Sequence, residues 1–119
     1  MKKITKLFIL AVVLTMALSA CGGEPANKLE AVQKAGKIVV GTSADYEPWE
    51  YKDENDEFVG IDMDFMREIG SRMGVEVEFQ DLGFDTLVAA VQEGKIDAAI
   101  AAMASTDERK EKVDFSNVY

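Results

Sequence analysis

Arg109 is the residue best placed to do chemistry. It ends the stretch 96–109, IDAAIAAMASTDER, an apolar strand that runs into a turn of small residues and opens a short charged helix. The first turn of a helix exposes backbone N–H groups without intrahelical acceptors and favours negative charge. A guanidinium there adds a planar fork of donors that matches a carboxylate. Two caps are possible. Ser105 pairs with Glu108 as a capping box, or Thr106 is the N-cap and Arg109 falls at N3, on the first turn. Ala101, Ala102 and Ala104 let a ligand approach the main chain closely. This spacing predicts one half of a site for a small carboxylate-bearing molecule.

Around it, Tyr46 and Phe84 occupy loop positions that follow strands, and Trp49 is equally readable as a core residue. Aromatic faces can clamp an aliphatic stem and attract an ammonium. Ser43 offers a hydroxyl. Asp45, Glu47 and Glu50 form an acidic mouth of solvated loop carboxylates that hints at a cationic ligand, and Asp107 fits the helix N-terminal preference for acids. One Cys and no His exclude an intrachain disulfide, His-based catalysis and zinc binding. No nucleophile–base pair can be drawn. The residues therefore favour binding a free amino acid over catalysis, without metal or cofactor.

The elements that must position these groups follow from periodicity. Asn27 caps a short helix with Glu30 as its box partner, Leu29, Val32 and Ala35 on its apolar side, and Gly36 at its end. The run 37–42, KIVVGT, reads as a buried strand, 43–49 as a loop, and 50–60 as a hairpin with an acidic tip. In 61–73, Ile61, Phe65, Ile69 and Met73 repeat at i+4 with Met66 beside them, predicting a helix that buries this face. The strict alternation of 75–80, VEVEFQ, predicts an edge strand. A helix over 84–92 turns Leu87, Val88 and Val91 inward, and 96–101, with Asp97 its only charge, reads as a central strand covered on both faces. Two βαβ crossovers make an α/β fold with parallel strands and flanking helices. Ligands of such sheets bind beyond the strand carboxyl ends, where the loops 43–49 and 102–109 and the loop ending at Phe84 should converge.

The chain has 119 residues and a formal charge of -9. Three of its 13 basic residues lie before residue 21, leaving 10 basic against 22 acidic, a body at -12 that argues against nucleic acid. Lys2, Lys3 and Lys6 precede a 12-residue apolar run, 7–18, too short to span a bilayer and suited to a signal peptide over 1–20. It closes with Leu18-Ser19-Ala20-Cys21, which resembles the bacterial lipobox. That pattern implies lipidation of Cys21, with a flexible tether over 22–26 behind it, which holds the protein outside the cytoplasmic membrane, stably only on two or more acyl chains.

The segments GTSADYEPWEY, FVGIDMDFMREI, VEFQDLGFDTLVAAVQEGKIDAAIAAM and TDERKEKVDFSNVY resemble the extracellular solute-binding proteins of polar amino-acid ABC importers, from about Ile38 to Tyr119. The resemblance implies a two-lobe periplasmic-binding-protein-like (type II) fold that closes on one amino acid, with a permease and an ATPase as partners. It implies that Arg109 grips the α-carboxylate, assisted by backbone at Ala102, Ala104 and Thr106, while Tyr46 and Phe84 sandwich the ligand side chain and position 43 contacts the ligand. Ala102 stands where glycine is usual, Ala104 where serine or threonine is, Asp107 where proline often is, Val118 where proline is, and Ser43 where several relatives carry aspartate. Residues 37–119 are then expected to be the first part of lobe 1, without lobe 2 and its ammonium partner, and to bind amino acids weakly or not at all. Two alternatives sit on the same fold: a lyase of the cyclohexadienyl dehydratase type, and the binding module of a sensor or lytic enzyme.

Overall fold

The computed structural model describes residues 25–119. The expected signal peptide over 1–20, Cys21 and most of the tether lie outside the described residues. Helix α1 (Lys28–Ala35) begins as its caps require. Asn27 Oδ1 accepts from the Glu30 N–H at 3.0 Å, and Glu30 reaches back to the Ala26 N–H at 2.8 Å. Gly36, at φ 70°, ends it in the left-handed conformation. Val32 is the residue it buries, while Leu29 stays half exposed.

Strand β1 (Lys37–Thr42) is the centre of the molecule. It pairs in parallel with β5 (Glu76–Asp81) on one side and with β6 (Ala98–Ala99) on the other, Thr42 lying opposite Asp81 and Gly41 opposite Ala99. The alternation of β1 feeds two cores. Ile38 and Val40 join Val32, Met63, Met66 and Ile100 under α1 and α2 (Ile61–Met73). Val39 faces the other layer, where Leu87, Ala90, Ile96 and Ala101 pack with α3 (Leu87–Gln92). Parallel strands covered on both faces by helices make this an α/β fold.

Two expectations about the elements need correction. The segment 96–101 is not the central strand. It pairs over two residues only, at the sheet edge opposite β5, and β1 takes the centre because it alone has partners on both sides. The charge of Asp97 is absorbed there rather than buried bare. Its Oδ2 accepts from the Val39 N–H at 2.8 Å and its Oδ1 meets Lys28 at 2.6 Å. Burial pushes its pKa up, but Lys28 and that N–H outweigh it and hold the carboxyl below its ordinary value.

The second correction concerns α2. Ile61, Phe65 and Ile69 do not face the core; they are 42%, 48% and 38% exposed, and the buried residues are Asp62, Met63, Met66 and Gly70. Gly70 decides the rotation. A side chain there would run into the Val77 methyl, so only glycine lets the helix lie this close to β5. Met73, the remaining member of the predicted face, packs half-buried against the first core.

The stretch expected as a loop plus hairpin is a three-stranded antiparallel meander. Strands β2 (Asp45–Tyr46), β3 (Glu50–Lys52) and β4 (Phe58–Val59) pair in sequence. The acidic tip is a tight turn in which Asp53 accepts from the Asn55 and Glu57 N–H groups at 2.8 and 3.0 Å.

Candidate functional site

The parallel strands deliver their carboxyl ends to one edge, where the chain turns out of β1, β5 and β6. The Leu82 N–H donates to the Thr42 carbonyl at 2.8 Å and the Ala44 N–H to Asp81 at 3.2 Å, stitching the first two exits together. The third exit carries the predicted turn. Ala102 adopts φ 44°, and a single-turn helix, α4 (Asp107–Lys110), follows.

Of the two possible caps, the structure uses Thr106. Its Oγ1 accepts from the Arg109 N–H at 3.3 Å, which sets Arg109 at N3. The Ser105–Glu108 box does not form; Glu108 instead meets Lys112 at 2.8 Å. The Arg109 Nη1 donates to the Ala104 carbonyl at 2.9 Å, and the guanidinium lies 5.2 Å from the centre of the Phe84 ring. One of its donors is thus engaged, and the remaining guanidinium N–H groups are available to an anion. With only one helical turn, α4 carries little macrodipole beside the guanidinium charge.

Phe84 opens a 3₁₀ turn (Phe84–Thr86) ahead of α3, held by the Thr86 hydroxyl on the Gly83 carbonyl at 2.7 Å. The early part of the predicted helix is therefore tighter than α-helical, which presents the ring at the surface, 36% exposed. Phe84 and Arg109 share the wall of a shallow cavity of about 200 Å³ with Asp85, Val88, Met103, Glu108 and Lys112. Val88, expected in the core, lines this cavity.

The remaining predicted residues lie elsewhere on the edge. Ser43 is buried and its hydroxyl donates to Asp45 at 3.3 Å. Tyr46 is 56% exposed, and neither it, Ser43 nor Trp49 lines the cavity with Arg109. Trp49 is half-buried, and its carbonyl accepts from the Asp62 N–H at 2.9 Å, anchoring the meander to the start of α2. The Ala102 N–H, expected to assist a ligand, is already donated to Asp62 at 2.8 Å.

Glu50 overturns its expected place in a solvated mouth. It is 1% exposed at the start of β3, beside the fully buried Asp62. Burial, reinforced by Asp62 and then Asp45, pushes the Glu50 pKa up to about 8, so that it carries its proton at neutral pH. Asp62 also receives the Tyr119 hydroxyl at 3.1 Å. Burial and the same carboxyls raise the Tyr119 phenol well above its ordinary value. Nothing in the local pattern marked this cluster, because its members come from 50, 62, 102 and 119.

A small α/β unit thus sets an arginine fork and an aromatic face beyond the ends of its parallel strands. The chain belongs to the bacterial extracellular solute-binding proteins, family 3, whose model matches residues 38–119. It is similar to the arginine-binding extracellular protein ArtP of Bacillus subtilis (strain 168), 41% identical over 113 residues that cover 95% of this chain and 43% of ArtP. Among solved structures, it resembles the arginine-bound form of domain 1 from TmArgBP, with 42% identity and a TM-score of 0.71 over 73% of this chain and 69% of that one. It also resembles an ancestral cyclohexadienyl dehydratase, with 34% identity and a TM-score of 0.77 over 82% and 40%. The chain spans less than half the length of the curated relatives it matches.

Proposed function

We propose that this chain is the ligand-capturing first part of an amino-acid-binding lipoprotein that serves an ABC importer, and that its ligand is a cationic amino acid of the arginine type. The observation that carries this reading is Arg109, fixed at N3 by the Thr106 cap and stacked over Phe84. Arg109 takes the α-carboxylate, aided by the main chain at Ala104 and Thr106, and Phe84 receives the aliphatic stem. Tyr46 closes over it from the meander, Ser43 shapes that wall, and Trp49 anchors the meander to α2 without touching the ligand. The main chain at Ala102 contributes only through its carbonyl, since its N–H serves Asp62. In the whole protein a second lobe supplies the ammonium partner, a permease and an ATPase receive the ligand, and the lipid on Cys21 holds the protein on the outer face of the cell membrane.

The names of ArtP and of the arginine-bound domain 1 support this choice of ligand. The latter also supports binding by one lobe alone, the weak-binding side of the expectation. Calorimetric titration of the chain with L-arginine tests the reading. A saturable heat is expected. Its absence up to about 10 mM ligand, beyond even the ~1 mM affinity that corresponds to roughly -4 kcal/mol, refutes it. For the anchor, labelled palmitate should enter the wild type and be lost in Cys21→Ser.

The dehydratase neighbour keeps an enzyme on the same fold as the second reading. The acids that could serve it here, Glu50 and Asp62, do not line the Arg109 cavity.

A further inference from the structure

We infer that Asp62 is a positioning residue for the carboxylate-binding loop: from the start of α2 it holds Ala102 in the left-handed turn that aims Ala104, Thr106 and Arg109. The inference rests on the proposed role of Arg109. Ala102 is one of two non-glycine residues at positive φ among the described residues, and an L-residue there is strained unless its surroundings hold it. The hold is visible. The Ala102 N–H donates to Asp62 Oδ2 at 2.8 Å across 40 residues of sequence, and Asp62 itself is completely buried. From Ala102 the chain reaches the Ala104 carbonyl, which receives both the Thr106 N–H at 3.0 Å and Arg109 Nη1 at 2.9 Å. A shift at Ala102 therefore moves the acceptor that orients the guanidinium.

Asp62 is itself braced on its remaining side. Its Oδ1 receives the Tyr119 hydroxyl at 3.1 Å, and the buried Glu50 carboxyl acts on it from β3. The titratable groups acting on Glu50 are Asp62 from α2 and Asp45 from β2, both acids, and Tyr119 from the last segment lies against the same carboxyls. Ionisation of Glu50 places a buried negative charge beside the residue that holds Ala102.

The experiment uses the 119-residue chain and three variants, Asp62→Asn, Asp62→Ala and Glu50→Gln, with two readouts: amide NMR of Ala102 and titration with L-arginine. An asparagine at this position still presents an oxygen to the Ala102 N–H. Asp62→Asn should therefore keep the Ala102 amide position and bind within about 3-fold of wild type, whereas Asp62→Ala should shift that amide and weaken binding about 10-fold or more, in the range of a lost hydrogen bond to a charged group. In the wild type the Ala102 amide should move with pH as Glu50 titrates, and Glu50→Gln should abolish that movement. An Ala102 amide that ignores both the Asp62 variants and pH overturns the inference, as does unchanged arginine binding in Asp62→Ala. If Asp62→Ala fails to fold, Asp62→Asn and the Glu50→Gln pH series still decide. Should the wild type bind no arginine, the proposed ligand fails, and the amide readout judges Asp62 on its own.

Discussion

Replacing Glu50 with glutamine should convert a pH-dependent protein into a largely pH-independent one between mildly acidic and mildly basic conditions. The side chain is 1% exposed, and its pKa rises from an ordinary 4.5 to about 8 on folding. A group whose folded pKa is raised makes the folded state the better proton binder. Its stabilisation is complete below pH 4.5, declines as the pH rises, and is gone above about 8. Within that window one proton separates the two states, so unfolding free energy should fall by up to ~1.4 kcal/mol per pH unit, and on the order of 5 kcal/mol across the whole window. That is comparable with the entire stability of many small domains. Glutamine has the shape of the protonated acid, but it cannot ionise. Urea unfolding at pH 5, 6.5 and 8 should show wild type losing stability stepwise and Glu50→Gln holding nearly level, the two converging at pH 5. Parallel pH profiles for the two proteins would refute the reasoning, because Glu50 would then titrate alike in both states.

Ala102→Gly should raise stability by about 0.5–1 kcal/mol by relieving the left-handed strain, read as a higher urea midpoint at unchanged slope. Gly70→Ala should cost about 1–3 kcal/mol by driving a methyl into Val77, and adding Val77→Ala should recover part of that loss in a double-mutant cycle. Arg109→Lys should weaken arginine binding by about 1–3 kcal/mol in calorimetry, since an ammonium cannot reproduce the fork or its stacking on Phe84.

What could be read from the sequence was what neighbouring residues settle among themselves. Asn27 and Thr106 cap their helices because a side-chain oxygen three residues upstream suffices, and β1 is buried because its β-branched run leaves it no wet face. Arg109 and Phe84 could be placed on the same edge because parallel strands put their exits there. The rotation of α2 could not be read. Ile61, Phe65 and Ile69 are as regularly spaced as Met63, Met66 and Gly70, and the choice lies with Val77, on another element. For the same reason Glu50 looked like a solvated acid: its burial arises where the meander packs on α2, which no local spacing encodes.

The seat of Trp49 determines what an optical experiment on this protein will see. It is the chain's single tryptophan, directly precedes Glu50, and its carbonyl caps the amide of Asp62. Intrinsic fluorescence therefore samples the carboxyl pair and not the guanidinium over Phe84. Emission should follow the loss of the Glu50 proton, while occupancy at Arg109 registers only to the extent that it travels through Ala102 and Asp62. A spectroscopically silent titration with ligand would describe where the indole sits and not whether the ligand is bound.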